Sequence, residues 1–452
     1  MNIKVDSKEV KDGDIFVAIK GIDQDGHDYI EEAIANGAKQ VVVEHGLYSV
    51  DTLVVKDTHK YLVNYLKDNY FNKIKELKLI GITGTNGKTT SCYLLWQALN
   101  KLDIKTAYIG TIGFYIENKI KELNNTTPDI LDLYEMFIEA VDNGCKYLVM
   151  EVSSHSLSLN RVEGLLFDYA IFTNLTQDHL DYHGDMKSYA LAKQRLFKCI
   201  KKYGYAIINV DDNYSDKYLL NDNKNITYGK KESDYKIIEL NDNINGSNFK
   251  LKYREKIQEY STNLFGRYNI YNLINTIVIL NNENFKLEDI KKVVEEIKEP
   301  PGRLEKIKIP LGMVIVDYAH TPDAIENVIN SIRQVCRGKI YTIIGCGGNR
   351  DKTKRPLMGD IATKLSDYVI FTSDNPRNER PLDIIADIVQ ELDNKNYEIE
   401  ENREKAIFKG IQKLNKNDIL LVLGKGHENY QIIGNNKIHF SDKEVVLKYI
   451  RR

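Results

Sequence analysis

Residues 77–90 read LKLIGITGTNGKTT. Leu77, Leu79, Ile80 and Ile82 form an apolar run of the kind that makes a buried strand. The run breaks into Gly84-Thr85-Asn86-Gly87-Lys88-Thr89-Thr90, and SCYLLWQALNK then reads as a helix. Strand, glycine loop and helix in that order form a phosphate-binding loop, because the loop N–H groups and the helix N-terminus carry partial positive charge. In such a loop Lys88 reaches the β- and γ-phosphates and the Thr89 hydroxyl suits Mg²⁺. Counted from Gly81, five residues precede Gly87, one more than the standard pattern has. A plain strand-to-helix turn is the competing reading, and Gly-Lys-Thr-Thr in this context argues against it. The loop predicts use of ATP.

The 452 residues exceed one ordinary core and suggest about three domains. A net charge of −2 lacks the basic field that nucleic acid or an acidic membrane attracts. The five cysteines (Cys92, Cys145, Cys199, Cys336 and Cys346) include no CxxC pair, which fits a reducing compartment and no structural zinc. The start, MNIKVDSKEV, has no apolar signal core, and no apolar run approaches the ~20 residues of a membrane span. A soluble, cytoplasmic monomer without nucleic-acid or membrane partners is expected.

The chain reads as α/β throughout. Residues 1–75 form a small unit, with GDIFVAIKG and VVVEH as strands around the helix HDYIEEAIANGAKQ. A second helix, THKYLVNYLKDNYFNKIKEL, leads into the phosphate-loop strand. Ser7, in Asp6-Ser7-Lys8, reads locally as a turn or cap residue. Residues 76–298 alternate apolar runs and helical patterns as doubly wound parallel sheets do. KTAYIG, CKYLVMEVSS, FDYAIFTNL and GYAIINVDD read as strands, and ELNNTTPDILDLYEMF as a polar connection. Residues 220–262 suggest a peripheral β-meander, and GRYNIYNLINTIVIL a helix with Asn269 and Asn272 at its mouth. The PPGR turn at 300–303 marks a boundary, since prolines stop a helix. Residues 299–452 restart the α/β alternation.

Open α/β sheets bind ligands at the carboxyl ends of their strands. Glu151 and His179 fall at the ends of two adjacent-looking strands, and with Thr89 they are plausible ligands for Mg²⁺ or Mn²⁺. His179 and His183 are four apart, but Gly184 and Asp181 spoil a regular helix and no third soft ligand is evident, which disfavours zinc. Ser153-Ser154-His155 lacks a nucleophile elbow, so substrate contact is the better reading than a serine nucleophile. Arg303, Asp317, His320, Arg350, Lys354 and Arg355 suggest a basic cluster that would clamp nucleotide across a cleft. DNPR at 374–377 and GKGHE at 424–428 are loops of mixed sign, suited to a ligand carrying both amine and carboxylate.

These motifs together, with EVSSHSL, FTNLTQDHLDYHGD, GRYNIYN, PGRLE, DYAHTPD and GGNRDKTKRP, resemble the Mur ligase superfamily. The resemblance runs from residue 6 to beyond 430. It implies a three-domain architecture: an N-terminal UDP-substrate domain, a central P-loop parallel-sheet ATPase and a C-terminal Rossmann-like domain. The implied activity is ATP- and Mg²⁺-dependent addition of meso-2,6-diaminopimelate to the D-Glu γ-carboxylate of UDP-N-acetylmuramoyl-L-Ala-D-Glu, through an acyl phosphate, in peptidoglycan biosynthesis. It further implies catalytic roles for Lys88, Glu151, His179 and Lys193. The Lys193 amine would be carbamylated and would ligate metal with Thr89, Glu151 and His179, although by itself Lys193 reads as a surface helix lysine. Gly84 to Thr90, Asn269, Arg303 and Asp317 would meet ATP. Ser7, Asn125, Thr126, Thr127, Ser153 and Arg161 would hold the UDP-muramoyl dipeptide. Arg350, Asp374, Asn375, Pro376, Arg377, Gly424 and Glu428 would hold diaminopimelate.

Family members that add diaminopimelate carry DNPR, and lysine-adding relatives replace its arginine. Arg377 would pair with the distal carboxylate that lysine lacks, a sharp discriminator when bidentate. Three positions depart from the family pattern: Lys8 replaces arginine, Leu159 replaces glutamine, and Arg380 puts a positive charge near the expected amino-acid pocket. Addition of L-lysine, or a folylpolyglutamate synthase-like ligation, are the alternatives. Asp6-Ser7 favours a UDP-sugar substrate over the latter. A non-catalytic scaffold would be marked by loss of Lys88, Glu151, His179 or Lys193, and all four are present.

Overall fold

The protein is described by a computed structural model covering residues 1–21, 24–221, 224–310 and 312–451. The chain divides into two compact units: residues 1–83, 103–170 and 191–205, and residues 84–102, 171–190 and 206–452.

The first unit begins with a parallel four-stranded sheet, Ile3–Lys4, Ile15–Val17, Gln40–Val43 and Asp51–Val54 in that order. Phe16, Val41 and Val43 bury one face against Ile30 and Ala33 of the helix Ile30–Ala35. Asp57 then caps the helix Thr58–Ile74, its carboxylate accepting the Lys60 N–H at 2.9 Å. A second run of strands is ordered Phe167–Phe172, Lys78–Thr83, Tyr147–Glu151, Thr106–Gly110, Gly113–Tyr115 and Lys119–Lys121. Lys78–Thr83, Tyr147–Glu151 and Thr106–Gly110 pair in parallel. Their near-continuous apolar character follows from burial on both faces. The strands ending at Glu151 and leading toward His179 are therefore not adjacent, because the phosphate-loop strand lies between them. Ile130–Asp142, read from sequence within a polar connection, is a helix that buries Leu133, Met136 and Phe137. Its DLYEMF segment carries the apolar spacing of an amphipathic helix behind a polar leader.

In the second unit, Ala206–Asn209 pairs in parallel with Asn225–Tyr228. Tyr228–Gly229 continues in parallel onto Tyr235–Lys236. The antiparallel meander expected over 220–262 is confined to Tyr235–Asn243, Gly246–Tyr253 and Lys256–Thr262. A six-stranded sheet follows, ordered Glu305–Ile309, Gly312–Asp317, Asp418–Leu423, Ile340–Ile344, Tyr368–Phe371 and Tyr397–Ile399. Only its first strand is antiparallel to its neighbour. Helices Pro322–Val335, Lys354–Leu365 and Pro381–Val389 pack one core through Ile325, Met358 and Ile384. Helices Arg403–Gln412 and Asp442–Ile450 pack the other through Ala406 and Val445. Helices on both faces of a mostly parallel sheet give the Rossmann-like arrangement expected, with loops 318–321, 345–353, 372–380 and 424–429 all leaving carboxyl ends of strands.

Candidate active site

The phosphate loop is built by its glycines. Gly81 lies inside the strand, where a Cβ would come 2.9 Å from the Phe167 ring, so it serves packing rather than the loop. Gly84 is the first loop glycine: its φ is +152° and a Cβ would fall 1.9 Å from the Thr173 hydroxyl oxygen. Gly87, at φ +85°, would press a Cβ to 2.3 Å from Asn272 Oδ1. Lys88 opens the helix Lys88–Lys101, and its Nζ donates to the carbonyls of Gly84 and Thr85, both at 2.8 Å. The loop is strapped to residues 173–176. Thr85 N–H donates to Asn174 O, Asn86 N–H to Asn174 Oδ1, and Thr173 Oγ1 to Asn86 O at 2.7 Å. Asn86 Nδ2 and Thr176 Oγ1 both donate to Asp323 Oδ2, at 3.0 and 3.3 Å.

Around this loop the second unit gathers most of the nucleotide residues expected from sequence. Arg303 Nη2 donates to Thr89 Oγ1 at 3.4 Å, and the guanidinium lies 4.7 Å from the centre of the Tyr318 ring. Asp317 is buried and accepts the Leu304 and Ala319 N–H groups at 2.7 and 2.8 Å. Burial raises its carboxyl above the usual range, with Arg303 opposing. Asn269 is buried and donates to Phe265 O at 3.0 Å, whereas Asn272 meets the loop through Gly87 and Ser91. Thr90 is buried in the first helical turn. His179, exposed and at φ +53°, places Nε2 3.3 Å from the Asp178 carboxylate. Asp178 also meets Lys354 at 3.5 Å. Burial alone would raise its carboxyl, but His179, Lys354 and His320 hold it below the usual range.

Arg355 does not join a nucleotide clamp. It is buried and bonds both oxygens of Glu379, at 2.9 and 3.0 Å, and Asp387 at 2.7 Å. A guanidinium whose two terminal nitrogens pair with two carboxylates is part of the scaffold.

Within the first unit, Glu151 ends its strand buried. Its Oε1 accepts the Tyr108 hydroxyl at 2.7 Å and the Thr111 N–H at 2.8 Å, and Oε2 accepts the Thr111 hydroxyl at 3.2 Å. A Cβ on Gly110 would reach 2.2 Å from Oε1, so that glycine makes room for the carboxylate. Thr127 Oγ1 donates to Glu151 O and accepts the Ser153 N–H, while Arg161 Nη1 donates to Thr127 O at 3.2 Å. Thr126 and Thr111 share a hydroxyl–hydroxyl bond of 3.1 Å. Thr126, Thr127, Ser153 and Arg161 thus form one cluster beside Glu151, with Asn125 exposed on the same loop. Ser7 lies apart in the N-terminal sheet region. It is buried rather than a surface cap, and its Oγ donates to Glu32 at 2.5 Å. Lys193, which local pattern reads as a surface residue, is only 1 % exposed on the helix Met186–Gln194.

The expected amino-acid residues group in the second unit. Asp374, Asn375 and Gly424 are buried, and a Cβ on Gly424 would reach 2.6 Å from Asp374 Oδ2. Asn375 Nδ2 donates to Glu428 Oε2 at 2.9 Å. Arg377, at φ +51°, donates from Nη1 to Gly348 O at 2.8 Å. Its own N–H meets Ile432 O at 3.0 Å, and its carbonyl accepts the Gly434 N–H at 2.7 Å. The hairpin Tyr430–Ile433/Asn436–His439 therefore pins the backbone that carries the arginine. Pro376 is buried beside Gly348, and Arg350 is exposed at the end of its own loop. The Arg380 side chain is 80 % exposed and 4.0 Å from Asp383, so its charge faces water rather than the pocket.

Three family models tile the chain: a Mur ligase catalytic domain over residues 1–72, a Mur ligase middle domain over 82–280, and a Mur ligase glutamate ligase domain over 302–426. The chain is a Mur ligase. It is 43% identical over 458 residues to the UDP-N-acetylmuramoyl-L-alanyl-D-glutamate--2,6-diaminopimelate ligase 1 of Clostridium acetobutylicum, covering 100% of this ligase and 94% of the relative. The correspondingly named enzyme of Clostridium botulinum is 44% identical over 460 residues, covering 99% and 95%. A solved structure of a UDP-N-acetylmuramoyl-L-alanyl-D-glutamate--2,6-diaminopimelate ligase superposes with a TM-score of 0.72 at 33% identity, covering 99% of this ligase and 94% of that chain. The MurF ligase of Thermotoga maritima in complex with ADP has a TM-score of 0.70 at 19% identity, covering 94% of each chain, and shares the fold.

Sequence reading missed the straps Thr173, Asn174, Thr176 and Asp323, and the buried lysine Lys425. The first three lie inside FTNLTQDHLDYHGD, Asp323 closes DYAHTPD and Lys425 lies in GKGHE, so each sits in a motif that assigned it no role of its own. Asp323 reads locally as an ordinary first-turn acid on a helix.

Proposed function

We propose that this ligase joins meso-2,6-diaminopimelate to the γ-carboxylate of UDP-N-acetylmuramoyl-L-Ala-D-Glu in peptidoglycan synthesis, at the expense of ATP. The observation that carries this reading is the DNPR loop, in which Asp374 is buried, Asn375 Nδ2 donates to Glu428 Oε2 at 2.9 Å and Arg377 Nη1 donates to Gly348 O at 2.8 Å. Acid for an ammonium and an arginine fork for a carboxylate suit an amino acid with a charged distal end. The likeness to enzymes named for diaminopimelate supports the same choice.

A carboxylate is a poor electrophile, so the reaction first transfers the γ-phosphoryl group of ATP to the D-Glu carboxylate oxygen, releasing ADP. The amine nitrogen of diaminopimelate then attacks the acyl carbon. The C–O bond to phosphate breaks, phosphate leaves with the bonding electrons, and the nitrogen loses a proton as the amide forms. The loop from Gly84 to Thr90 receives the phosphates through N–H groups other than those of Thr85 and Asn86, which Asn174 holds. Lys88 exchanges its two loop carbonyls for phosphate oxygens and stabilises charge on the transferring group. Asn269, Arg303 and Asp317 complete the nucleotide site. Ser7, Asn125, Thr126, Thr127, Ser153 and Arg161 hold the UDP-muramoyl dipeptide. Arg350, Asp374, Asn375, Pro376, Arg377, Gly424 and Glu428 hold the amino acid.

Thr89, Glu151, His179 and a carbamylated Lys193 would hold Mg²⁺, a hard cation for which this oxygen and nitrogen set is suited. Glu151 brings a buried carboxylate to the end of its strand, held there by Tyr108 and Thr111. Mg²⁺ would neutralise charge on the transferring phosphoryl. Lys193 is buried rather than hydrated on the surface, and that supports giving it a role in the site. Domain limits of 1–75, 76–298 and 299–452 fit these three tasks. No helix among the described residues is long and apolar enough to cross a membrane, and we place a monomeric enzyme in the cytoplasm.

The test is phosphate release with ATP, Mg²⁺ and the UDP-muramoyl dipeptide, with diaminopimelate, L-lysine or no amino acid. Turnover is expected with diaminopimelate alone. Turnover with lysine at equal efficiency would refute the role given to Arg377, and silence in all tubes would refute the ligation. The mass of the intact protein, read at neutral pH and after acid, tests the carbamate separately.

A further inference from the structure

The expected amino-acid pocket contains a cation that no sequence argument assigned. Lys425 is 0 % exposed. Its Nζ lies 3.0 Å from Glu428 Oε2, 3.2 Å from Asn375 Oδ1 and 3.8 Å from Asp374 Oδ1. An ammonium has three donors, and these three oxygens surround it. The Tyr430 ring centre lies 5.6 Å away. Asn375 is itself held, because its Oδ1 accepts the Ile432 N–H at 3.0 Å. Glu428 Oε2 therefore receives both Lys425 and Asn375, while Oε1 receives the Tyr430 hydroxyl at a long 3.4 Å.

Charge points the same way. Asp374 and Glu428 bring two negative charges against the one positive charge of Lys425. Behind them Arg403 and Asp442 form a wholly buried pair at 2.7 Å that adds no net charge. Arg377 apart, which the proposed function gives to the substrate's carboxylate, one negative charge is left over. Two uncompensated carboxylates this deeply buried would be costly, whereas one remaining charge matches one incoming ammonium.

We infer that Lys425 is a positioning residue for the amino-acid substrate: it takes up one carboxylate charge and holds Glu428 by Oε2, so that Oε1 is presented to the substrate's ammonium. This rests on the reading of the DNPR and GKGHE loops as the diaminopimelate pocket. Arg377 then supplies the carboxylate half of recognition and the Lys425–Glu428 pair the ammonium half.

The test uses the full-length enzyme and steady-state kinetics in all three substrates. Lys425→Gln keeps a donor for Glu428 but removes the charge. The KM for diaminopimelate is expected to rise about tenfold or more, with KM for ATP and for the UDP-muramoyl dipeptide unchanged. Glu428→Gln is expected to raise the same KM. Because Lys425 acts through Glu428, the double variant should be no worse than about threefold beyond Glu428→Gln alone. Multiplying effects, equal losses for all three substrates, or an unchanged KM for diaminopimelate would each overturn the inference. If Lys425→Gln does not fold, the parent enzyme decides. 2-Aminopimelate, which lacks one ammonium, should have a KM about tenfold or more above that of diaminopimelate, and equal values would overturn the inference. A parent that turns over neither compound refutes the proposed function itself, a result distinct from any of these.

Discussion

Gly84→Ala tests the phosphate loop most directly. The substitution adds a Cβ at φ +152°, 1.9 Å from Thr173 Oγ1. Two costs follow. Holding a non-glycine residue in a sparsely populated backbone region costs on the order of 1–3 kcal/mol. Displacing the Thr173 hydroxyl breaks its 2.7 Å bond to Asn86 O, worth about 1 kcal/mol. A free loop can relax out of this shape, so the whole cost of about 2–4 kcal/mol is charged to nucleotide binding, which demands the native loop. At a factor of ten per 1.4 kcal/mol, the Kd for ADP should rise by roughly thirtyfold to several hundredfold. Thr173→Ala alone should cost about 1 kcal/mol, roughly fivefold. The double variant should match Gly84→Ala rather than add to it, because the hydroxyl bond can be lost only once. Isothermal titration with ADP, beside thermal melts that confirm folding, measures all three. A folded Gly84→Ala enzyme that binds ADP like the parent would refute the reasoning, and so would simple additivity.

Arg403→Leu should destabilise the protein by about 3–5 kcal/mol. It strands Asp442 in the core and removes donors from the carbonyls of Leu423 and Ser373; denaturant titration followed by fluorescence reads the loss. Glu379 is held down at about 2 by its bonds with Arg355, then by the Asn349 N–H and Lys352. A depressed carboxyl stabilises above its ordinary value and loses that contribution as pH falls through the folded one. The melting-temperature gap between parent and Glu379→Gln should therefore be widest near neutrality and narrow from about pH 4.5 down to about pH 2. Burial pushes the Cys145 thiol up to about 11 and the Cys346 thiol up to about 12. In native enzyme at pH 8 both should resist alkylation while the less buried Cys199 and Cys336 react first, as peptide mass mapping over time would reveal.

The phosphate loop was legible because its pattern is local: glycine placement, a lysine and a helix start all occur within 77–90. The strand-end motifs were legible for a related reason, since a parallel sheet brings the ends of sequence-distant strands to one edge whatever their exact pairing. Strand order was not. Glu151 and the segment leading to His179 looked like neighbours, yet the phosphate-loop strand separates them, and register across a sheet is set by long-range pairing that no local pattern encodes. Charged side chains divided in the same way. Their identities suggested sites, but only packing decided their duties. It sent Arg355 to Glu379 and Asp387, turned Arg380 to water, and sank Lys193 and Lys425 out of solvent. A lysine on a helix or in a glycine-rich loop has the same sequence signature whether it is hydrated or buried. The difference is a desolvation cost, set by neighbours such as Asp374 and Asn375 that lie some fifty residues away along the chain, and that is a property of the fold.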